Sequence, residues 1–472
     1  MNKQTPNPGE NKHILIITYV VVGMFVCLMG YFGYFLQVQS EKVINNSYNA
    51  RLDSFSDRII RGKIVSNDGR VLAETTVQED GAEVRTYPYQ DLFAHAVGYS
   101  DHGKAGLEAL ANFYLLSSHM NLAEQTMNQL ADRKNPGDNV ITTLDVDLQQ
   151  AALGDRKGAV VALEPDTGKI LAMVSRPGFD PNTLGQEWEA LISGDNTQAQ
   201  LLNRASQGVY PPGSTFKIVT ALEYMREHPD TWQEFSFDCD GSYEHGDYTI
   251  KCYHGTAHGA QNLIQAFANS CNGAFASLGL EINLEQMQNL AEHLLFNGPL
   301  PVSIAYSKSS YAMGTGAGDW ERLQTAIGQG NTQMTPLHNA LLTAAIANGG
   351  VLMKPYLIDR VETAEGEEVK KFLPVTYGEL MSASEAEALS GLMRQVVTEG
   401  TGSAVRTDAY AAAGKTGSAE FEKGKESHAW FTGFAPAEDP KLVVTVLVEE
   451  GGSGGREAAP IARALFDLYF SK

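Results

Sequence analysis

Tyr210-Pro-Pro-Gly-Ser-Thr-Phe-Lys-Ile-Val-Thr-Ala-Leu222 sets two prolines and a glycine directly ahead of a helical run. These breakers close the preceding segment, so a helix opens at Ser214 and Lys217 falls one turn later on the same face. A serine hydroxyl is a poor nucleophile until a base removes its proton, and a lysine amine kept neutral can be that base. The positive end of the helix dipole favours negative charge developing at the same spot. The pair means little in isolation. Ser-x-x-Lys recurs by chance about once or twice in a chain of this length at average usage. A serine N-cap followed by a solvated lysine would explain it equally well.

Two further motifs follow in order, Ser270-Cys-Asn272 and Lys415-Thr-Gly417. Ser-x-Asn is a poor signal alone, since Ser47-Tyr-Asn49 also matches and only order and context set that copy aside. Lys415-Thr-Gly417 follows the small residues 411–414 and suits a strand edge where a substrate backbone can approach closely. Apolar runs at 159–163 and 170–174 flank Pro165-Asp-Thr-Gly168, a hairpin signature. Runs at 429–434 and 442–448 read as two more strands, and 458–470 as an amphipathic helix. Long helical patterns at 263–280 and 337–347 lie between them. Strands at both ends with helices between predict one α+β domain, its antiparallel sheet assembled from distant segments and flanked by helices, with an all-helical subdomain.

Upstream of this domain, residues 14–36 carry no charged side chain and are long enough to span a bilayer at roughly 1.5 Å per residue. Lys3 and Lys12 precede the run and favour a cytoplasmic N-terminus, with 1–13 as a cytoplasmic stub. A cleaved signal peptide would end its apolar core sooner, at small residues, whereas Tyr31, Phe32, Tyr34, Phe35 and Leu36 continue it with bulk. A single-pass anchor in the cell membrane, with the working part outside the cytoplasm, is the expectation. Residues 37–137 read as a pedestal, with a strand–Asp-Gly–strand pattern at 61–73 and a helical pattern opening at Gly106-Leu-Glu108. Asn135-Pro-Gly-Asp138 marks the boundary to the domain at 138–472. Two domains also suit 472 residues, more than one core usually serves. A net charge of −21 argues against a nucleic-acid partner.

The ordered set Ser-x-x-Lys, Ser-x-Asn and Lys-Thr-Gly is that of penicillin-binding proteins and class A β-lactamases. Over nearly its whole length the chain resembles the class B penicillin-binding proteins. The segments 141–149 and 158–168, Gly328-Gln-Gly330 with Thr335-Pro336, and Arg61-Gly62 carry the likeness as well. The resemblance implies a serine D,D-transpeptidase that cross-links peptidoglycan stem peptides through an acyl-enzyme on Ser214, releases a terminal D-Ala, and is acylated by β-lactams. It implies Lys217 as general base, Ser270 as proton relay to the leaving amine, and Asn272 as ligand of the peptide amide. Lys415 would supply positive potential and Thr416 would hold the donor carboxylate. Gly417 completes the strand motif. The N–H groups of Ser214 and Ser418 would form the oxyanion hole. The same resemblance implies no cofactor, and as membrane partner a polytopic glycosyltransferase of the shape-elongation-division-sporulation group. Neither a glycosyltransferase module before the pedestal nor a repeat module after the transpeptidase part is expected.

Other readings share these residues. A β-lactam sensor would need an output domain that the cytoplasmic stub is too short to provide, and a non-catalytic scaffold would not need the full motif set. A D,D-carboxypeptidase or a β-lactamase is the enzymatic alternative. Cys271, the variable middle of the second motif, reads as a buried small hydrophobe with no role. Cys239 and Cys252 bracket a 240–251 loop and precede His254 and His258. Their spacing permits a disulfide on a two-stranded ribbon, a Zn²⁺ site completed by histidine, or two reduced bystanders. His245 and His428 read as surface or core histidines.

Overall fold

The protein is described from a computed structural model, which covers residues 8–35 and 56–472. Leu36, the first part of the pedestal segment and the Ser47-Tyr-Asn49 copy lie outside the described residues, as do the first seven residues of the stub. The N-terminal helix runs Pro8–Tyr34. Its Lys12–Tyr34 stretch has a mean hydropathy of 2.4 and is not buried against any other described residues, and by length and composition it is long and apolar enough to cross a membrane. This is the form of a single-pass anchor.

Beyond it, a six-stranded sheet has the order Glu368–Lys371, Ile358–Glu362, Asn139–Thr142, Ile64–Val65, Val71–Val77, Glu83–Thr86. Neighbours are antiparallel except Ile64–Val65 beside Asn139–Thr142. Three of these strands come from before residue 138 and three from after it, so segments on both sides of the breaker at Asn135–Asp138 share one sheet, while Asn135–Pro136 itself pairs with Ile59–Ile60. Glycine makes that junction possible. A Cβ on Gly62 would stand 1.9 Å from the Asp138 carbonyl oxygen, and one on Gly137 would stand 2.2 Å from that of Leu115.

A buried ionic cluster braces the same region. Glu108 is fully buried, and its carboxylate accepts from Arg61 Nε at 2.6 Å, Arg85 Nε at 2.8 Å and the Tyr87 hydroxyl at 3.2 Å. Arg61 also donates to Asn112 Oδ1 at 2.5 Å, and Arg85 to the Gly62 carbonyl at 2.7 Å. Burial works to raise the Glu108 carboxyl, but the two guanidinium groups outweigh it and hold it below the usual range.

The second sheet is antiparallel, with strand order Ala413–Ala419, His428–Ala435, Leu442–Val448, Gly158–Leu163, Ile170–Arg176. Its central strands are buried on both faces, which accounts for their continuous apolar runs. Alternation sorts the side chains. Val160 and Ala162 pack toward Leu465 and Phe466 of the Ala459–Phe470 helix. Val161 and Leu163 join the cluster that holds Leu337 and Leu341 of the Pro336–Ala347 helix. That helix is capped by Thr335, whose hydroxyl accepts from His338 N at 3.1 Å, and it begins with proline.

A helical layer covers the sheet edge. It includes Lys217–Glu227, Leu263–Ala268, Asn272–Glu281, Leu284–His293 and Ala383–Thr398. The single helix expected over 263–280 is two helices. Asn262 and Gln265 form a capping box at the first, which ends before Asn269. Ser270 then takes a left-handed φ of 55°, and Cys271 caps the second. A non-glycine residue held there costs about 1–3 kcal/mol and persists only where its surroundings enforce it.

Candidate active site

Residues Gly213–Phe216 form a tight 3-10 turn that runs straight into Lys217–Glu227. Several contacts press this turn against the outer strand Ala413–Ala419. Gly213 has φ +53°, and a Cβ there would meet the Ser418 carbonyl oxygen at 3.0 Å. Gly213 N donates to the Gly328 carbonyl at 2.9 Å, and a Cβ on Gly328 would lie 1.9 Å from the Gly213 oxygen. This is the physical content of Gly328-Gln-Gly330. Ahead of the turn, Trp430 Nε1 donates to the Pro211 carbonyl at 3.0 Å. The Tyr210 hydroxyl donates at 2.8 Å to Glu449, which also accepts from the buried Arg204 at 2.7 Å.

Lys217 is fully buried, one turn behind the half-buried Ser214. Its Nζ donates to Asn272 Oδ1 and to the Ser270 carbonyl, both at 2.7 Å, and lies 3.4 Å from Ser270 Oγ. Lys415, also fully buried, donates to the same Ser270 Oγ at 2.9 Å and to the Thr416 carbonyl at 3.0 Å. One hydroxyl therefore stands between two amines delivered by segments far apart in the chain. The left-handed turn at Ser270 lets the side chains of Ser270 and Asn272 both face these lysines. Asn272 is steadied from the other side, where its Nδ2 donates to the Lys251 carbonyl at 2.9 Å.

Among the described residues neither amine has a carboxylate partner. Burial pushes Lys217 down to about 7, and the sulfurs of Cys271 and Cys252 only partly oppose it. Lys415 is lowered well below the usual lysine value, by burial first and by the charge of Lys217 second. Two adjacent ammonium groups in a dry site repel each other, so a neutral amine beside Ser270 is the favoured state. Ser214, Ser270, Asn272 and Ser418 are half-exposed in front of the buried lysines, so reactive oxygens face solvent with bases behind them. That arrangement can deprotonate a hydroxyl nucleophile and return the proton to a leaving group.

Thr416 and Gly417 lie on the strand beside Lys415, and two segments meet them that the sequence pattern did not single out. Thr401 Oγ1 is 2.5 Å from Thr416 Oγ1, while Thr401 N donates to the Ala268 carbonyl at 3.1 Å. Gly454 N donates to Ser418 Oγ at 3.4 Å, and a Cβ on Gly454 would stand 2.4 Å from the Gly417 oxygen. Glycines around Thr401 and in the 451–455 run were the available signal, since such residues mark close backbone approach.

The cysteines depart from expectation. Cys239 and Cys252 do not share one ribbon. Cys239 ends Ser236–Cys239, which pairs with Gly259–Asn262, whereas Cys252 follows Tyr248–Lys251, which pairs with Ser242–His245. Their sulfurs are 3.6 Å apart and unbonded, against about 2.05 Å in a disulfide. Cys271 is buried as expected, and its sulfur lies 3.7 Å from that of Cys252. His258 Nδ1 lies 3.3 Å from Cys239 Sγ, while His254 is exposed and joins no cluster. His245 pairs with Asp319 at 3.0 Å and the His428 ring stacks on Phe421, both apart from the lysines.

The chain is similar to known proteins over most of its length. The family described as the penicillin binding protein transpeptidase domain matches residues 158–467, and the penicillin binding protein A dimerisation domain matches 61–140. The peptidoglycan D,D-transpeptidase PbpA of Mycolicibacterium smegmatis is 34% identical, over 88% of this chain and 89% of its own. The D,D-transpeptidase domain of a peptidoglycan glycosyltransferase from Eggerthella lenta superposes with a TM-score of 0.78 at 33% identity, covering 88% of this chain and 99% of that one. The ceftriaxone acyl-enzyme complex of penicillin-binding protein A from M. tuberculosis gives 0.79 at 31% identity, over 88% and 99%.

Proposed function

The chain belongs to the penicillin-binding protein transpeptidase family, and from that premise we propose that it is a peptidoglycan D,D-transpeptidase with Ser214 as nucleophile. The observation that carries this reading is Ser270 Oγ standing between Lys217 Nζ at 3.4 Å and Lys415 Nζ at 2.9 Å. Neutral Lys217 takes the Ser214 proton as Oγ attacks the carbonyl carbon of the penultimate D-Ala. The carbonyl oxygen becomes an oxyanion, met by the N–H groups of Ser214 and Ser418. As the intermediate collapses, the C–N bond to the terminal D-Ala breaks and Ser270 passes a proton to the departing amine. Lys217, carrying the proton it took from Ser214, replenishes Ser270 through the same hydroxyl, which Lys415 holds from the other side at 2.9 Å. The acyl-enzyme is then attacked by the amine of a neighbouring stem peptide, which forms the cross-link and restores Ser214.

Asn272 holds the donor's peptide amide, Lys415 supplies positive potential behind Ser270, and Thr416 holds the donor's terminal carboxylate. Gly417 lets the donor backbone lie along the strand. β-Lactams enter as donor mimics and stop at the acyl-enzyme. The Pro8–Tyr34 helix anchors the chain with its catalytic domain outside the cytoplasm, beside a polytopic glycosyltransferase that supplies nascent strands. The deciding experiment is mass spectrometry after incubation with benzylpenicillin. A stable adduct is expected on the peptide that carries Ser214, and Ser214→Ala should abolish it. An adduct that survives this substitution sinks the assignment. Rapid drug hydrolysis with full recovery of free enzyme would move the chain to the hydrolytic alternative.

A further inference from the structure

Four side chains outside the reacting set converge on one point: Cys239, Cys252, His258 and Cys271, whose donor atoms all lie within 4.8 Å of one another. The geometry points to a structural zinc site of Cys₃His type. In a tetrahedral site with Zn–S near 2.3 Å and Zn–N near 2.0–2.1 Å, sulfurs stand about 3.8 Å apart and sulfur and nitrogen about 3.5 Å apart. The observed edges are 3.6 Å for Cys239–Cys252, 3.7 Å for Cys252–Cys271 and 3.3 Å for Cys239–His258. A disulfide would use two sulfurs and strand the third in the same apolar pocket.

The donor chemistry selects the metal. Three thiolates and an imidazole suit zinc and exclude the oxygen-seeking Mg²⁺ and Ca²⁺. Binding Zn²⁺ releases three thiol protons and leaves a site of net charge −1. Four protein ligands fill the tetrahedron, so the site is closed and structural rather than hydrolytic. All three cysteines are at most 3% exposed, which shields the thiolates from oxidation.

The site's location gives it a role. Cys271 sits between Ser270 and Asn272 and caps the helix that Asn272 begins. Cys252 directly follows Lys251, whose carbonyl steadies the Asn272 amide at 2.9 Å. Elsewhere, His258 N donates to the Cys239 carbonyl at 3.0 Å and Cys252 N to the Gly241 carbonyl at 3.0 Å, so both ribbon ends are drawn to the same point. The metal therefore ties two antiparallel strand pairs to the loop that holds Ser270 in its left-handed conformation. It is a positioning device for Ser270 and Asn272. The metal assignment stands independently, whereas the positioning role rests on the transpeptidase reading.

The test uses the full chain, purified in detergent with neither added metal nor chelator. Elemental analysis should find about one zinc per chain. Replacement by Co²⁺ should give thiolate-to-cobalt charge transfer and tetrahedral d–d bands. His258→Ala and Cys239→Ser, neither of them among the reacting residues, should lose the metal, lower Tm and slow benzylpenicillin acylation at least about tenfold. Ser214→Ala should retain its zinc while losing the adduct, which separates failure of this site from failure of the catalytic reading. Wild-type protein that stays metal-free after dialysis against Zn²⁺, or a Cys239–Cys252 disulfide found by peptide mapping, overturns the site. Zinc-free His258→Ala that acylates at the wild-type rate overturns the positioning role.

Discussion

Lys217 shows how burial turns a residue into a reagent. A solvated lysine amine is protonated at neutral pH and cannot accept a proton, but burial brings this one down to about 7. The sign follows directly. Below that value the amine carries its proton and cannot act as base; above it the amine is free. Acylation by benzylpenicillin should therefore rise with pH through neutrality and level off above it, as stopped-flow measurement across the range would show. A profile flat through neutrality would point to another base. Lys217→Ala should cost about 10²–10⁴ in acylation rate. Near wild-type acylation by that variant would likewise assign the proton transfer to a different group. The spacing of Ser214 and Lys217 was legible because one helical turn fixes it locally. Their burial was not, because it depends on what the fold stacks over them.

At the scale of elements, the site depends on backbones that touch. Gly328 and Gly330 both take positive φ, but their surroundings differ. A Cβ on Gly328 would overlap the Gly213 carbonyl at 1.9 Å, while one on Gly330 would meet its nearest neighbour, Gln324 Cβ, at 3.5 Å. Gly330→Ala should thus cost only backbone strain, about 1 kcal/mol. Gly328→Ala adds the overlap, so it should cost more than about 3 kcal/mol and also displace the Ser214 turn. Denaturant melts and acylation rates of the two variants test this; equal effects would mean that the contact does not hold the turn. The strands around Leu163, Phe434 and Val448 were readable from apolar runs between turn residues. The break at Ser270 was not, because residues 263–280 keep a helical pattern across it and only the left-handed turn at Ser270 and the cap at Cys271 divide it.

Across the whole molecule, the N-terminal unit and the rest of the chain share the six-stranded sheet, braced by Glu108. Glu108→Ala would leave the largely covered Arg61 and Arg85 without their carboxylate, at a cost of up to about 3–5 kcal/mol. A fall in Tm with unchanged acylation of the folded fraction is expected, since none of these groups approaches Ser214. A Tm within error of wild type would show that water replaces the carboxylate there.

The sequence by itself determined what depends on neighbours along the chain. The apolar N-terminal run, the hairpin at Pro165–Gly168, the placing of Lys217 one turn after Ser214, and the small residues around Lys415 follow from local sterics and periodicity, although the turn at Gly213–Phe216 is 3-10 and the α-helix begins only at Lys217. Only the tertiary structure decided what depends on distant segments meeting. It placed Ser270 Oγ between the two lysines and Thr401 on Thr416, and it joined strands from both sides of residue 138 in one sheet. It also carried the sulfur of Cys271 to those of Cys239 and Cys252. Spacing makes that pair and its histidine visible, but a cysteine inside a helical pattern gives no local sign of what it faces. The physical reason is that backbone preferences act over a few residues, whereas burial and side-chain meeting points are set by the packing of the folded chain.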